Sequence, residues 1–346
     1  KIHIINNMII SRTPLRISFF GGGTDYKKWY KDNGGSVINT TINKFNYINV
    51  RYLPPFFKYK NCIRYFLREE TNSINKIKHP SVRETLKFLK VNKGIEMVHN
   101  ADLPARGGLG SSSSFTVGFL HAMWSLLGKI PTKKDLANAA IFIEQEKIKE
   151  SVGSQDQTAA AFGGLNRIDF GGRQNITVKP LTLKKNNIDK FQDHLMLFFL
   201  GFPRNASEIA KKQIDGISQN TAHLNEMKKI VDEAQKLLNE NRINFLEVGK
   251  LMNEQWLIKR KLSKNVSNEF IDRAYLDFMK YGATGCKLCG AGGGGYMLVL
   301  ANINKHKYIK RKMKKFINIP FKFDFAGSQI VYYSSNDLPD REILYT

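Results

Sequence analysis

The chain has 346 residues, of which 42% are hydrophobic, and it carries a formal net charge of +24. This length and apolar content suffice to bury two ordinary cores, so we expect two domains. No segment approaches the roughly 18 consecutive apolar residues that a membrane helix requires, so we expect a soluble protein. The basic charge attracts nucleotides, sugar phosphates and nucleic acids alike, and it cannot choose among them.

The three cysteines, Cys62, Cys286 and Cys289, are too few and too unevenly spaced for a disulfide framework. Cys286 and Cys289 form a CxxC pair, but the sequence has no second pair and no nearby histidine cluster to complete a zinc site. The N-terminal residues lack the hydrophobic segment and cleavage site of a secretory signal. We therefore expect a cytoplasmic protein.

The predicted elements begin with a sheet and continue with helices. Short apolar or alternating runs between residues 9 and 52, interrupted by Gly21 to Gly23, predict strands joined by turns. From Phe115 onward, apolar residues recur at offsets of 0, 4, 5, 8, 11 and 12, which predicts one buried face of a helix. Thr132, with Asp135 three residues later, predicts the N-cap of the next helix.

A polar stretch at residues 184–189 precedes a new strand at residues 195–200, and it predicts a boundary between a domain of residues 1–189 and one of residues 190–346. From Met227, apolar residues at offsets of 0, 3, 4, 7, 10 and 11 predict an amphipathic helix whose apolar face is core. Two further helices, a glycine run and a strand follow, over residues 245–257, 270–279, 290–295 and 296–300.

A run of glycines and serines, Pro104 to Ser114, lies between a predicted strand and a predicted helix. Glycines let successive backbone N–H groups converge on phosphate oxygens, and the start of the following helix adds its positive dipole end. The serine hydroxyls either cap the helix or bind Mg²⁺. Because no GK[ST] ends the run, it is not a Walker A loop, and a different nucleotide-binding fold is indicated.

Two acids are candidates for the chemistry: Glu144, late in a predicted helix, and Asp156, just after the turn Val152 to Gln155. Phosphoryl transfer needs one carboxylate to hold the metal and often another to orient the accepting hydroxyl. Two acids near one turn could supply both roles, although isolated acids are often only solvated surface charges.

The glycine run Gly290 to Gly295 precedes a predicted strand. Six small residues add little packing and cost backbone entropy, so a close approach to the main chain is the physical reason to keep them. A flexible turn is the alternative interpretation.

Three segments, Arg12 to Tyr26, Pro104 to Ser114 and Lys287 to Gly295, resemble in this order the motifs of the GHMP kinase superfamily, named for galactokinase, homoserine kinase, mevalonate kinase and phosphomevalonate kinase. The resemblance implies an α+β protein with an N-terminal domain of the ribosomal S5 domain 2-like type and a ferredoxin-like C-terminal domain. It also implies an ATP-dependent phosphotransferase with an alcohol acceptor, using ATP and Mg²⁺ between the two domains.

The resemblance further implies roles for individual residues. Asp156 matches the acid taken as catalytic base or hydroxyl-orienting group, and Arg16 matches a catalytic arginine beside the reaction centre. Ser112 and Glu144 match the positions that coordinate Mg²⁺. The residues implied to bind ATP are Gly107, Gly108, Leu109, Gly110, Ser111, Ser112 and Ser113. The residues implied to bind the acceptor are Gly22, Gly23, Thr24, Asp25, Arg204, Gly292 and Gly293.

Differences between these motifs and those of galactokinases narrow the choice of acceptor sugar. Gly22 and Gly23 stand where galactokinases carry Glu-His, which disfavours galactose. The first motif and the segment Val152 to Gln157 look like those of bacterial D-glycero-D-manno-heptose 7-phosphate kinases, which make the 1,7-bisphosphate on the way to nucleotide-activated heptose for surface polysaccharide. Arg106 and Arg204 are candidates to hold the distal phosphate.

Three alternatives stay open at this point. Another sugar kinase of the superfamily could act on fucose or galactose, a regulator could keep the fold without the chemistry, and the charge alone could suit a nucleic-acid binder. We expect a sugar phosphate and ATP as partners, with neither nucleic acid nor membrane. The sequence makes no prediction of the oligomeric state.

Overall fold

The protein is described by a computed structural model that covers residues 8–54, 56–171, 176–201 and 206–334. Its strands are β1 (Met8–Phe20), β2 (Gly35–Tyr52), β3 (Asn61–Arg64), β4 (Arg68–Thr71), β5 (Ile95–Ala101), β6 (Leu165–Phe170), β7 (Ile176–Pro180), β8 (Leu195–Gly201), β9 (Ala283–Leu288), β10 (Gly295–Ala301), β11 (Ile317–Ile319), β12 (Phe323–Asp324) and β13 (Gln329–Ser334). Its α-helices are α1 (Lys27–Asn33), α2 (Pro80–Phe88), α3 (Ser111–Leu126), α4 (Lys133–Phe142), α5 (Gln155–Phe162), α6 (Lys185–Asp193), α7 (Ala206–Asp215), α8 (Thr221–Leu238), α9 (Phe245–Lys261), α10 (Glu269–Lys280) and α11 (Ile303–Lys312).

The larger sheet is organised around two long antiparallel strands, β1 and β2. In their register Arg16 lies opposite Thr41 and Ser18 opposite Asn39. The sheet runs in the order β13-β1-β2-β5-β3-β4, and β6 and β12 also pair with β2. Side chains alternate between the two faces of a strand, so Arg16 and Ser18 project from the same face of β1.

The smaller sheet has the order β11-β8-β10-β9, and its neighbouring strands are all antiparallel. Along the chain, β8 is followed by helices, then by the adjacent strands β9 and β10, then by α11 and β11. This β-α-β-β-α-β succession is that of a ferredoxin-like domain. None of the described helices is both long and apolar enough to span a membrane.

The structure confirms the helix predictions that rest on residues close together in the sequence. Thr132 caps α4 in a capping box, since its side chain accepts from the Asp135 amide and the Asp135 carboxylate accepts from the Thr132 amide. The stripe that begins at Met227 forms the buried face of α8, with Ile230, Val231, Ala234 and Leu238 buried and Leu237 partly buried.

The two halves of the chain share one hydrophobic core. Buried residues of β1, such as Ile17, belong to the same cluster as Val231 of α8, Met252 of α9 and Leu298 of β10. The short strands β12 and β13 also return to the larger sheet, where they pair with β2 and β1. The boundary between residues 189 and 190 stays a prediction, and the chain after β11 lies against the larger sheet.

Candidate active site

The glycine and serine run forms a loop that leads directly into α3. Gly110 is the N-cap of α3 in a left-handed conformation, with φ 72°, and no side chain caps the helix. The first-turn N–H groups of α3 therefore have no side-chain acceptor, which makes this helix start a suitable site for a phosphate group. Of the two functions considered for the serines, helix capping is not used here.

The serines of this first turn face different surroundings. Ser113 Oγ donates to Glu144 Oε2 at 2.8 Å, while Ser114 Oγ donates to the Thr13 carbonyl at 3.1 Å. The Ser112 side chain is exposed. Ser112 is therefore free to meet a ligand, whereas Ser113 orients the acid that the resemblance assigns to the metal.

Glu144 lies in a π-helical segment, Ile143–Ile148, that continues α4, and it is completely buried. Gln157 Nε2 donates to its Oε2 at 2.5 Å. Its other oxygen, Oε1, is buried and has no hydrogen-bond partner among the described residues, and the same is true of Oε1 of Gln157. Burial raises the pKa of Glu144 to about 7.

These residues fit a Mg²⁺ ion. Unpartnered buried oxygens are costly, and Mg²⁺ prefers oxygen ligands, usually one or two carboxylates completed by phosphates and water. Among the described residues no group of three or more His, Cys, Asp or Glu side chains could hold a metal by itself. A metal beside Glu144 would therefore need phosphate oxygens to complete its coordination.

Arg16 joins the catalytic candidate Asp156 to the glycine loop. Its Nε and Nη2 donate to the two carboxylate oxygens of Asp156, each at 2.8 Å. Its Nη1 donates to the Gly108 carbonyl at 2.6 Å, and its main-chain N–H donates to the Leu109 carbonyl at 2.9 Å. The Asp156 side chain is 27% exposed and that of Arg16 only 6%, so the acid is partly accessible to a ligand while the arginine that binds it is buried.

Asp25 lies beside this pair. Its Oδ1 accepts from the Gly23 N–H at 2.9 Å and its Oδ2 from the Gln155 N–H at 3.3 Å. Burial raises the pKa of the Asp25 carboxyl, and the negative charge of Asp156 raises it further. Gly153 is required here, because a Cβ at that position would lie 1.8 Å from Asp25 Oδ2.

Other residues of the first motif hold the loop rather than face a ligand. Thr24 Oγ1 lies 2.8 Å from the Gly21 carbonyl and 2.9 Å from the Ser36 carbonyl, and it accepts from the Ser36 N–H at 3.0 Å. The Thr24 side chain is therefore fully engaged by the main chain, and any contact it makes with an acceptor would come from its backbone.

The C-terminal glycine run approaches the phosphate loop itself. A Cβ on Gly290 would lie 2.4 Å from Gly108 Cα, and a Cβ on Gly295 would lie 2.2 Å from the Gly107 carbonyl oxygen. The close approach expected from the sequence is thus an approach of one loop to the other. Gly292 and Gly293 likewise face the Val266 carbonyl and the Ile209 side chain, at 2.6 and 2.3 Å from an added Cβ. Arg204 lies outside the described residues.

Two buried lysines were not anticipated from the sequence. Lys287 Nζ donates to the carbonyls of Ser18 at 2.9 Å and Phe19 at 2.7 Å, and burial lowers its pKa to about 7. Lys259 Nζ donates to the Gly290 carbonyl at 2.5 Å, and burial lowers its pKa to about 8. For Lys287, its position among the apolar residues of a strand could have indicated burial. For Lys259 no such signal exists, because it lies in a run of basic residues that is typical of an exposed surface.

The chain matches known families and structures over most of its length. The family profile for the GHMP kinases N terminal domain matches residues 74–164, and that for the GHMP kinases C terminal domain matches residues 234–318. A D-glycero-alpha-D-manno-heptose 7-phosphate kinase from Campylobacter jejuni is 27% identical over 89% of this chain and 93% of that protein. A bifunctional fucokinase/GDP-fucose pyrophosphorylase from Arabidopsis thaliana is 24% identical over 87% of this chain, which spans only 31% of that longer protein.

A crystal structure of a D-glycero-D-manno-heptose 1-phosphate kinase from Bacteroides thetaiotaomicron superposes with a TM-score of 0.76 at 21% identity, covering 94% of this chain and 99% of that one. This likeness confirms the expected two-domain α+β fold. The two family matches occur in the order of the sequence motifs and together cover about half of the chain. The chain therefore belongs to the GHMP kinase family and is an ATP-dependent phosphotransferase.

Proposed function

We propose that this kinase transfers the terminal phosphate of ATP to the anomeric hydroxyl of D-glycero-D-manno-heptose 7-phosphate and forms the 1,7-bisphosphate. The observation that carries the proposal is the contact of Arg16 with both Asp156 and the Gly108 carbonyl, because it joins a hydroxyl-orienting acid to a phosphate loop. The near full-length similarity to the Campylobacter jejuni heptose kinase supports the choice of acceptor.

Asp156 is the residue that orients the accepting hydroxyl. Each of its oxygens accepts from Arg16, and a carboxylate oxygen has a second lone pair with which it can accept from a sugar hydroxyl. Holding that hydroxyl in line with the phosphorus atom accounts for much of the catalysis in phosphoryl transfer. The fixed positive charge of Arg16, close to the same point, offsets the negative charge of the transferring group.

The glycine loop and the start of α3 hold the phosphates of ATP. The residues that would do so are Gly107, Gly108, Leu109, Gly110, Ser111, Ser112 and Ser113. Glu144 and Ser112 would hold Mg²⁺, with Ser113 and Gln157 orienting the Glu144 carboxylate. When bound, the metal neutralises phosphate charge and aligns the terminal phosphoryl group.

The acceptor sugar lies against the first motif in this proposal. Asp25 would accept from its hydroxyls, while Gly22, Gly23 and the Thr24 backbone would line the sugar. Gly292, Gly293 and Arg204 complete the proposed acceptor residues. The product is a sugar phosphate on the way to nucleotide-activated heptose for surface polysaccharide. A cytoplasmic location accompanies the proposal, because ATP is the donor and all three cysteines are unpaired.

A coupled ADP-release screen over free sugars and sugar phosphates tests this function. We expect the heptose 7-phosphate to give the highest kcat/KM, and ³¹P NMR to show a new anomeric phosphate while the 7-phosphate is retained. A higher kcat/KM on fucose or galactose would instead favour another sugar kinase of the family. No ADP release with any acceptor would contradict the proposed function.

A further inference from the structure

Helix α9, from the C-terminal half of the chain, places two polar side chains against the loop of the first motif. Gln255 and Lys259 are four residues apart and therefore lie on the same face of the helix. Gln255 Oε1 accepts from the Gly21 N–H at 3.2 Å, and a Cβ on Gly22 would lie 3.9 Å from Lys259 Nζ. Both side chains thus border the loop at which the proposed acceptor binds.

Each of these side chains has donors for which the described residues provide no acceptor. Gln255 is completely buried, and its Nε2 has no hydrogen-bond partner in the part of the chain that the structure describes. Lys259 is 6% exposed, and of its three donors one is accounted for, by the Gly290 carbonyl. No carboxylate among the described residues lies within ion-pair distance of Lys259 Nζ. A buried ammonium group without a counter-ion is costly, unless a ligand provides the negative charge.

The other cations nearby are already engaged. Arg16 is committed to Asp156, and Lys287 donates to two main-chain carbonyls of β1. With Asp25 and Asp156 as the acids, the cluster of Arg16, Lys259 and Lys287 has one positive charge in excess when every group is ionised. This net positive charge of the cluster favours an anionic ligand.

Gly22 leaves the position in front of Lys259 clear. Its backbone is not in the left-handed region, and an added Cβ would have its nearest neighbours at 3.4 and 3.9 Å, which is ordinary contact. Neither conformation nor packing therefore requires glycine at this position. The absence of a side chain keeps this part of the loop, next to the ammonium group, free of side-chain atoms.

We propose that Lys259, assisted by the Gln255 amide, binds an anionic group of the acceptor and so makes this site select a phosphorylated sugar over a free one. This inference rests on the proposed function, in which the acceptor already carries a phosphate at its far end. A phosphate on the acceptor would receive charge-assisted hydrogen bonds from Lys259, which are stronger than bonds between neutral groups.

The test compares wild type with Lys259→Met on a matched pair of acceptors, D-glycero-D-manno-heptose 7-phosphate and the same heptose without phosphate. Wild type should prefer the 7-phosphate. In the variant this preference should fall by about 10- to 100-fold, as expected for the loss of one charge-assisted bond, while KM for ATP changes less than about twofold. Lys259→Arg, which keeps the charge, should restore part of the preference.

The control is Lys250→Met on the same helix, where the lysine is exposed and pairs with Glu247. It should leave the preference unchanged. If Lys259→Met fails to fold, as judged by its melting curve, Lys259→Gln retains a donor for the Gly290 carbonyl and replaces it. An undiminished preference in a folded variant overturns the inference, and so does a loss that falls on ATP instead of the acceptor.

Failure of the inference and failure of the proposed function have different signatures. A wild type that prefers the 7-phosphate, with the same preference in folded Lys259→Met, overturns the role of Lys259 and leaves the proposed function standing. A wild type that prefers an uncharged sugar contradicts both the proposed acceptor and the role of Lys259. If wild type turns over neither heptose, the function fails, and calorimetric binding of the two heptoses decides the inference. Tighter binding of the 7-phosphate by wild type but not by Lys259→Met would support it, and equal binding would overturn it.

Discussion

Neighbouring serines at the start of α3 have different surroundings although their side chains are identical. Each step along a helix rotates a side chain by about 100°. The exposed Ser112 therefore faces the space where a ligand would bind, while Ser113 points inward to Glu144. The motif alone could nominate the group of serines, but only the packing of Glu144 separates an orienting hydroxyl from one that can bind a metal.

Replacing these two serines should affect different properties, the Mg²⁺ requirement for Ser112 and the stability for Ser113. Ser112→Ala should raise the Mg²⁺ concentration for half-maximal activity by about tenfold, because one oxygen ligand is lost, with little change in stability. Ser113→Ala should lower the free energy of unfolding by about 1–3 kcal/mol, because it removes a buried hydrogen bond to a carboxyl group. Magnesium titrations and urea unfolding measure the two effects, and a Mg²⁺ requirement unmoved in Ser112→Ala would contradict its metal role.

At the scale of elements, local signals predicted the helices better than they predicted the glycine segments. The capping box of Thr132 and the stripe of α8 are set by residues within a few positions of each other. The glycines of the C-terminal run meet a loop almost two hundred residues earlier in the chain, as Gly290 does at Gly108. A single sequence gives a physical reason to expect a close approach at such glycines, but it neither excludes a flexible turn nor shows what approaches.

Two glycines of positive φ provide a matched test of this loop contact. Gly108 has φ 85°, and an added Cβ would lie 2.5 Å from the Cys289 carbonyl oxygen, whereas Gly128 has φ 72° and no atom within 4 Å. Gly128→Ala should cost about 1 kcal/mol of stability from its backbone conformation alone, with ATP affinity unchanged. Gly108→Ala must also displace the loop, so its ATP affinity should fall by about tenfold or more. Calorimetric ATP binding compares the two, and equal affinities would contradict the loop contact.

At the scale of the whole molecule, the two halves of the chain are packed against each other. They share a hydrophobic core, and Lys287 of β9 donates to two carbonyls of β1. The pairing of β13 with β1 joins residues more than three hundred positions apart. The polar stretch before β8 is visible in the sequence and predicts a domain boundary there. No local pattern indicates that the chain later returns to its first strand.

Acid should destabilise this molecule through three partly buried histidines, His79, His99 and His121. Burial lowers the pKa of each from 6.5 to about 4. The unfolded chain therefore binds protons first as the pH falls, so stability is full above pH 6.5 and is lost progressively towards pH 4, by about 1–3 kcal/mol for each histidine.

The contribution of a single histidine can be isolated with His121→Gln, which keeps a polar group near Ser328 Oγ, 3.0 Å from His121 Nδ1 in the wild type. Urea unfolding between pH 7 and pH 4 should show a shallower loss of stability in this variant than in wild type. Parallel curves for the two proteins would mean that His121 takes up its proton equally well when folded.

The central claim is that Asp156 orients the accepting hydroxyl beside the phosphate loop. In a single-turnover assay with saturating ATP and heptose 7-phosphate, Asp156→Asn should slow phosphoryl transfer by about 10³-fold, while ATP affinity stays within about twofold of wild type. Asp169→Asn is the control, because the Asp169 carboxylate forms an ion pair with Arg167, also on β6, at 2.8 Å and has no proposed role in the reaction. A transfer rate in Asp156→Asn equal to that of wild type and of this control would contradict the account.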